Sequence, residues 1–423
     1  MTIEHLDAVE AMIGEINRSD SVFFPSSYWD DLNKQNLDML EAGGLANFKR
    51  TLSQNYFNWL VTSPRHPLFR HAFKEWCHHP DALPLTTNLA EADGLRITTG
   101  TGQRALALSA LRLNFYRLYV CFVWGIMCRH DHHRFRDLLQ EPSVGNPLRV
   151  MRGQRLLSQD LASSILECNI LANITAGISR PRIAEVGAGY GRLAYAYVQS
   201  QPGQYFVFDI PPALGVAQWY LEQTLGVDRV FQFRHFDRLT DVDSEIRAAS
   251  VVMLTPNQMQ QFPDGYFDVA LSISTLPEMR QDQVDLYLKE FQRLSRGHIF
   301  LKQWKAWRNP TDGTDLTAES YRLAPQWRVT LDRTDPVVPT FFNRVWTRKP
   351  VHARGGSCRA THSLGAALRR AWLSKTTAAH LRCSAQIRAA RPLSDPSSRP
   401  PRGRSGCGAR PDRVAGSAPR RSA

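Results

Sequence analysis

The chain has 423 residues, 43% of them hydrophobic, enough for one large or two medium domains with real cores, which confines disorder to local segments. Its formal net charge of +13 argues for a nucleic-acid or anionic-membrane partner only if it is spread over the folded part. It is not: residues 351–423 hold 15 Lys and Arg against two acids, Asp395 and Asp412, and the 350 residues before them are neutral.

Residues 1–178 read as mostly helical, with apolar residues at three and four spacing. The amino terminus, "MTIEHLDAVEAM", carries early acids and no apolar core, so no secretory signal is expected. "ALALSALRLNFYRLYVCFVWGIMCR" (105–129) is the most buried-looking helix; its apolar run at 118–128 covers 11 residues, short of the roughly 18 that span a bilayer. Breaks fall at 78–84 and 141–147, and Ser158 with Asp160 opens a further helix. The seven cysteines include no CxxC pair and fit a reducing compartment, so a cytoplasmic protein is expected. Polar groups beside aromatics recur: Asn55 and Asn58 flank Tyr56 and Phe57, and Arg149, Arg152 and Gln159 lead into the next region. They suit a sugar or a nucleotide-linked sugar, the arginines meeting a diphosphate, with Tyr56 and Arg152 the leading candidates. The plain alternative is core aromatics beside helix-capping polar groups.

From 182 to 304 the pattern changes to short apolar strands alternating with helices: "RIAEVG", "YFVFDI", "SVVMLT", "FDVALSI" and "HIFLKQW" alternate with "RLAYAYVQSQ", "PALGVAQWYLEQTL" and "QDQVDLYLKEFQRL". That order predicts an α/β fold, a Rossmann-like doubly wound, mostly parallel sheet over 179–349. "WRVTLDRTDPVVPTFFNRVWTRK" predicts an antiparallel hairpin on its edge, and the helical residues 1–178 form a cap over it. Beyond Lys349 the Arg-rich segment 350–423 reads as a disordered arm, its one aromatic being Trp372.

"IAEVGAGYGR" places Gly187, Gly189 and Gly191 directly after the first of these strands, where bare backbone turns tightly at a ligand crevice. A dinucleotide fingerprint requires glycine at 192, where Arg192 stands. The second strand ends in Asp209, 18 residues beyond Gly191, near the spacing at which an acid accepts ribose hydroxyls; a helix cap before "PPAL" is the compatible alternative.

The GxGxG form, with Glu185 two residues before it and "FPDGYFDVALSI" further on, resembles the motifs of S-adenosylmethionine-dependent methyltransferases. Asn257 or Gln258 stands where these enzymes read the adenine edge. More of the chain, through "NFKRTLSQNYFNWLV", "NPLRVMRGQRLLSQDLASSILE", "EVGAGYGRLAYAY", "FVFDIPPAL", "LTPNQM", "SISTLPEMR" and "LKQWK", resembles a bacterial family of sugar O-methyltransferases. The resemblance implies S-adenosylmethionine as cofactor and a sugar hydroxyl as acceptor, with carbohydrate modification as the role. Such a hydroxyl needs a base at the carboxyl end of a strand, and Glu278 meets that condition, although an acid also suits the start of the helix that follows. Lys302 and Trp304, closing the fifth strand, are placed to grip and stack a sugar ring, or Trp304 to pack against the cap. His298 opens that strand, at the wrong end for catalysis. Some sugar methyltransferases use a divalent metal, but in "RHDHHRFR" only His133 and Asp137 have a ligand-like interval, and a solvated helix end is the simpler reading. Two other functions remain: a nucleotide-sugar oxidoreductase, disfavoured by Arg192 and by the lack of a Tyr-xxx-Lys pair after the fourth strand, and nucleic-acid binding through the basic arm. No membrane span and no nucleic-acid partner are expected; oligomeric state is not legible.

Overall fold

The apolar runs between residues 182 and 349 fold into an eight-stranded sheet whose two faces are both covered. The protein is seen here as a computed structural model that describes residues 3–51, 60–79, 88–89, 96–98, 105–107, 109–309 and 312–349. Tyr56 with its neighbours Asn55, Phe57 and Asn58, and the Arg-rich segment after Lys349, lie outside these residues.

The amino-terminal part holds helices α1 (Ile3–Asn17), α2 (Ser27–Gly43), α3 (Phe48–Thr51), α4 (Pro67–His78), α5 (Ala110–His130) and α6 (Gln159–Ile174). Short strands interrupt them: β1 (Asn88–Leu89), β2 (Arg96–Thr98), β3 (Ala105–Ala107), β4 (Val150–Arg152) and β5 (Arg155–Leu157). The strands depart from the helical expectation. The run at 105–129 divides, because Ala105–Ala107 pairs with Arg96–Thr98 and the Ser109 side chain accepts the Arg112 N–H to start α5. Val150–Leu157 closes as a hairpin around Gly153, whose φ of 58° suits a tight turn. Ser158 caps α6 as its sequence predicts, its Oγ 2.9 Å from the Leu161 nitrogen.

The remaining elements are β6 (Arg182–Val186), α7 (Arg192–Ser200), β7 (Gln204–Phe208), α8 (Ala213–Leu225), β8 (Val230–Phe231), α9 (Asp243–Ala248), β9 (Val251–Leu254), β10 (Phe267–Ile273), α10 (Gln281–Leu294), β11 (Ser295–Trp304), β12 (Ala306–Arg308), β13 (Asp315–Thr317), β14 (Trp327–Thr334) and β15 (Phe341–Arg348). The sheet order is β14-β15-β11-β10-β6-β7-β9-β8. From β11 to β8 neighbours run parallel, and β15 and β14 add antiparallel, as the hairpin predicted. β8, α9 and the antiparallel pair β12–β13 were not foreseen; β8 is two residues long and β12 and β13 three each, too short to show a period.

The strands alternate their side chains between two cores. Ile183, Val207, Met253 and Leu271 join a large cluster with α5, α6, α7 and α8, while Val186, Phe208, Leu254 and Ala270 join a second with α9 and α10. The larger cluster runs on into Leu40, Phe48 and Leu68, and residues up to Pro350 form one compact unit. From β6 the chain builds outward to β7, β9 and β8, then returns to build β10 and β11 on the other side. Such a reversal opens a crevice at the carboxyl ends of β6 and β10.

Candidate functional site

That crevice holds a cavity of about 250 Å³, floored by the strand ends and roofed by amino-terminal helices. Gly187, Gly189, Glu185, Asp209, Glu278 and Lys302 line it; Gly191, Asn257, Gln258, Arg152 and Trp304 do not.

The glycine turn is shaped by the protein's own packing. Gly187, Gly189 and Gly191 have φ of 76°, 60° and 80°, a region that side chains strain. A Cβ on Gly187 would stand 2.2 Å from Thr275 Oγ1, which donates to the Gly187 carbonyl at 3.1 Å. One on Gly191 would stand 2.8 Å from Leu221 Cδ1. Thus Gly187 lets β10 approach and Gly191 lets α8 approach, and Gly187 and Gly189 also present backbone to the cavity. The Gly189 N–H donates to Asp209 Oδ2 at 2.7 Å, and Asp209 Oδ1 accepts the Ile210 N–H at 2.7 Å. Burial pushes the Asp209 carboxyl up to about 7 against the pull of these two N–H groups.

Three more carboxyls face the same space. Glu185 is 3% exposed; the Tyr205 hydroxyl donates to its Oε2 at 2.8 Å, and burial raises it to about 8. Glu278 is half-buried after β10, and burial, with Asp209 adding repulsion, pushes it up to about 8 while a hydrogen bond from the Trp29 side chain opposes. Asp160 lies on the first turn of α6, accepts the Tyr190 hydroxyl at 3.1 Å, and is raised to about 7 by burial against the attraction of Arg192.

The cavity's cations are already paired. Arg192 donates to Glu167 at 2.6 and 3.1 Å, and the Lys302 ammonium lies 3.0 Å from both Glu167 and Asp335. Burial disfavours each of these charges, yet Arg192 and Lys302 together hold the Glu167 carboxyl below its usual range, while Asp335 and Glu167 hold the Lys302 ammonium above its own. Asp335 also accepts the Val337 and Val338 N–H groups at 3.0 and 2.8 Å, so Lys302 fixes the turn whose Val337, Val338 and Phe341 wall one side of the cavity.

The other predicted positions lie apart from the cavity. Gln258 folds back, its Oε1 accepting the Thr255 N–H and hydroxyl at 3.0 and 3.1 Å and its Nε2 donating to the Arg234 carbonyl at 3.0 Å. The Asn257 amide donates to Glu15 of α1 at 2.8 Å. Trp304 packs edge-on against Phe341, ring centres 4.7 Å apart, and Arg152 ends the strand β4. His298 meets Thr347 at 3.0 Å at the amino end of β11. His133 turns to Asn173 at 3.0 Å and Asp137 to Arg134 at 2.8 Å, and among the described residues no three side chains gather as metal ligands.

A strap before and into α2 was not foreseen. Phe23, Phe24, Pro25, Ser26 and Trp29 line the cavity roof, tied down where Gln283 Nε2 donates to the Val22 and Phe24 carbonyls at 2.8 Å each and Ser26 Oγ donates to the Glu278 carbonyl at 2.9 Å. Its signal in the sequence is "VFFPSSYW", an aromatic run around a proline between two helices.

Among the described residues no helix is long and apolar enough to cross a membrane. No family model matches the chain, and no curated protein does. Solved structures similar to it include magnesium protoporphyrin IX methyltransferase from Synechocystis PCC 6803 (11% identity, 47% of this chain and 90% of that one, TM-score 0.33). Two others are 1,6-didemethyltoxoflavin N1-methyltransferase from Burkholderia thailandensis (16%, 45% and 79%, TM-score 0.30) and the PH0226 protein of Pyrococcus horikoshii OT3 (11%, 44% and 91%, TM-score 0.32). Scores this low leave the chemistry to be argued from the site itself.

Proposed function

We propose that the chain is an S-adenosylmethionine-dependent methyltransferase acting on a sugar hydroxyl of a glycan, glycoside or nucleotide-sugar. The observation that carries the reading is Asp209 at the end of β7, locked by the Gly189 and Ile210 N–H groups beside the glycine turn, with the cavity in front of it. A carboxylate so held accepts both hydroxyls of a ribose, and Gly187 and Gly189 give the nucleoside a side-chain-free surface. Among the described residues, the carboxyls Glu185, Asp209, Glu278 and Asp160 outnumber the cations that line the cavity, Arg192 and Lys302, and both cations are paired within the protein. Such a lining favours a positively charged ligand and opposes a pyrophosphate, which weighs against the dinucleotide-dependent oxidoreductase.

When bound, the sulfonium supplies the methyl group. The protein's part is to hold the acceptor oxygen in line, exclude water and accept its proton. Glu278 is the proposed base; the role requires its carboxylate form, which a positively charged ligand in the cavity would favour. The strap and the Val337–Phe341 turn both wall the cavity. The role of Asn257 or Gln258 toward adenine would need the loop after β9 to turn inward, since the cavity is lined there by Pro256.

Calorimetric titration of the full chain with S-adenosylhomocysteine tests the reading. We expect saturable binding, weakened at least tenfold in Asp209→Ala, about 1.5–3 kcal/mol for hydrogen bonds to a charged group. No uptake by folded protein, or a larger thermal shift with NAD, refutes it.

A further inference from the structure

The identity of the acceptor is constrained by which charges in the cavity are still free. Asp160 stands where α6 begins, its Oδ2 accepting the Tyr190 hydroxyl at 3.1 Å and its Oδ1 accepting no hydrogen bond among the described residues. Tyr119 of α5, Gln159 and Ser163 of its own helix, and Val337 and Val338 line the same cavity. Glu185, which lines the same cavity, is buried as well, and its Oε1 accepts no hydrogen bond among the described residues.

The cations that approach Asp160 are Arg192 and Lys49, and the other carboxyl near it is Glu141. Neither cation is available to a ligand. Arg192 is held by Glu167, and Lys49 is ion-paired to Glu141 inside a cage formed by the Phe48, Tyr190 and Tyr220 rings. Lys302 is held by Glu167 and Asp335. Arg149 and Arg152, the residues suited by type to a diphosphate, do not line the cavity. Among the described residues, a phosphate placed here would meet carboxyls and no unpaired positive charge, and burying an uncompensated anion is costly.

We infer that the acceptor is an unphosphorylated glycoside presenting a hydrogen-bond donor, an ammonium or a hydroxyl, to Asp160, and that sugar nucleotides are not substrates. The inference rests on the methyltransferase reading and narrows it. Asp160 reads the acceptor through Oδ1, and Tyr190, which sits inside the glycine turn, holds the other oxygen and so ties acceptor reading to the loop that bears on the nucleoside. An ammonium would favour the ionised form of Asp160, its proton passing to solvent, and form a charge-assisted hydrogen bond with it, while a hydroxyl would donate to either protonation state.

The test is calorimetry on the full chain saturated with S-adenosylhomocysteine, titrated in turn with a methyl glycoside of a neutral hexose, a methyl glycoside of an amino hexose, and UDP-glucose. We expect at least one glycoside to bind ten times more tightly than UDP-glucose; which one binds better tells whether the donor is an ammonium or a hydroxyl. Asp160→Asn should weaken that glycoside at least tenfold and leave S-adenosylhomocysteine affinity within twofold, which also shows that the variant folds. UDP-glucose binding as tightly as the glycosides, no glycoside binding at all, or an unchanged affinity in Asp160→Asn overturns the inference while the methyltransferase reading stands. Failure of S-adenosylhomocysteine to bind the wild-type chain instead overturns both.

Discussion

A buried carboxyl that gives each oxygen to a backbone N–H is oriented before any ligand arrives, and Asp209 is in that state. What it lacks is a compensating charge, as does Glu278, while the cation that draws on Glu185, Arg192, is already paired with Glu167, and this has a consequence for stability. Folding raises Asp209 to about 7 and Glu185 and Glu278 to about 8, whereas the unfolded chain titrates these groups at roughly pH 4. Between those limits the folded state binds more protons than the unfolded state, so raising the pH favours unfolding. The ligand-free protein should therefore lose stability from pH 5 to pH 8.5. Histidines titrate in the same range, so the informative comparison is with Glu278→Gln, whose urea midpoint should fall less steeply over that interval. Equal slopes in the two proteins would mean that Glu278 ionises freely in the fold.

At the scale of elements, the glycine turn and the Lys302 network each join segments distant in sequence. Gly187→Ala would place a methyl group against Thr275 and force a side chain into positive φ, and should cost at least about 2 kcal/mol in chemical denaturation. Lys302→Met leaves Glu167 its bonds to Arg192 and Asp335 its two backbone donors, but removes the charge between them. A loss of about 3 kcal/mol is expected, with a smaller loss when Asp335→Asn is added. A double variant no more stable than Lys302→Met would show that the ammonium does not compensate Asp335. These elements also separate what the sequence reveals from what it hides. Strands covered on both faces must be apolar throughout, so β6, β7, β9, β10 and β11 announce themselves, and the spacing from Gly191 to Asp209 follows from the length of one βαβ unit. Gln258 shows the limit: an amide after a strand reads as a ligand contact, yet here it closes on Thr255 and Arg234, a partnership set by three-dimensional proximity. Lys302 likewise reads as a strand-end cation, and only the fold reveals Glu167 and Asp335 beside it. The strap at Phe23–Trp29 has no period at all, and its place follows from contacts with α10.

For the molecule as a whole, the amino-terminal helices share the sheet's larger core. Helix α1 packs on α8 at Gly215, where an added Cβ would stand 2.5 Å from Val9 Cγ2. That glycine has no unusual φ, so its role is the close approach of two helices. Gly215→Val should lift α1, uncover Val9 and Met12, and release Glu15 from Asn257; trypsin should then cut after Arg18 at least several times faster, with the sheet still folded. Unchanged cleavage would mean that α1 is held elsewhere.

The hydrogen bonds that tie down the strap span 252, 259 and 261 residues of chain. A ribosome adding about 5–20 residues per second takes roughly 10 to 50 s to make the intervening chain. Throughout that interval Phe23, Phe24 and Trp29 have been synthesised but their anchors at Glu278 and Gln283 have not. The aromatic segment thus waits for partners made long after it, and the binding chamber can close only once α10 has been synthesised.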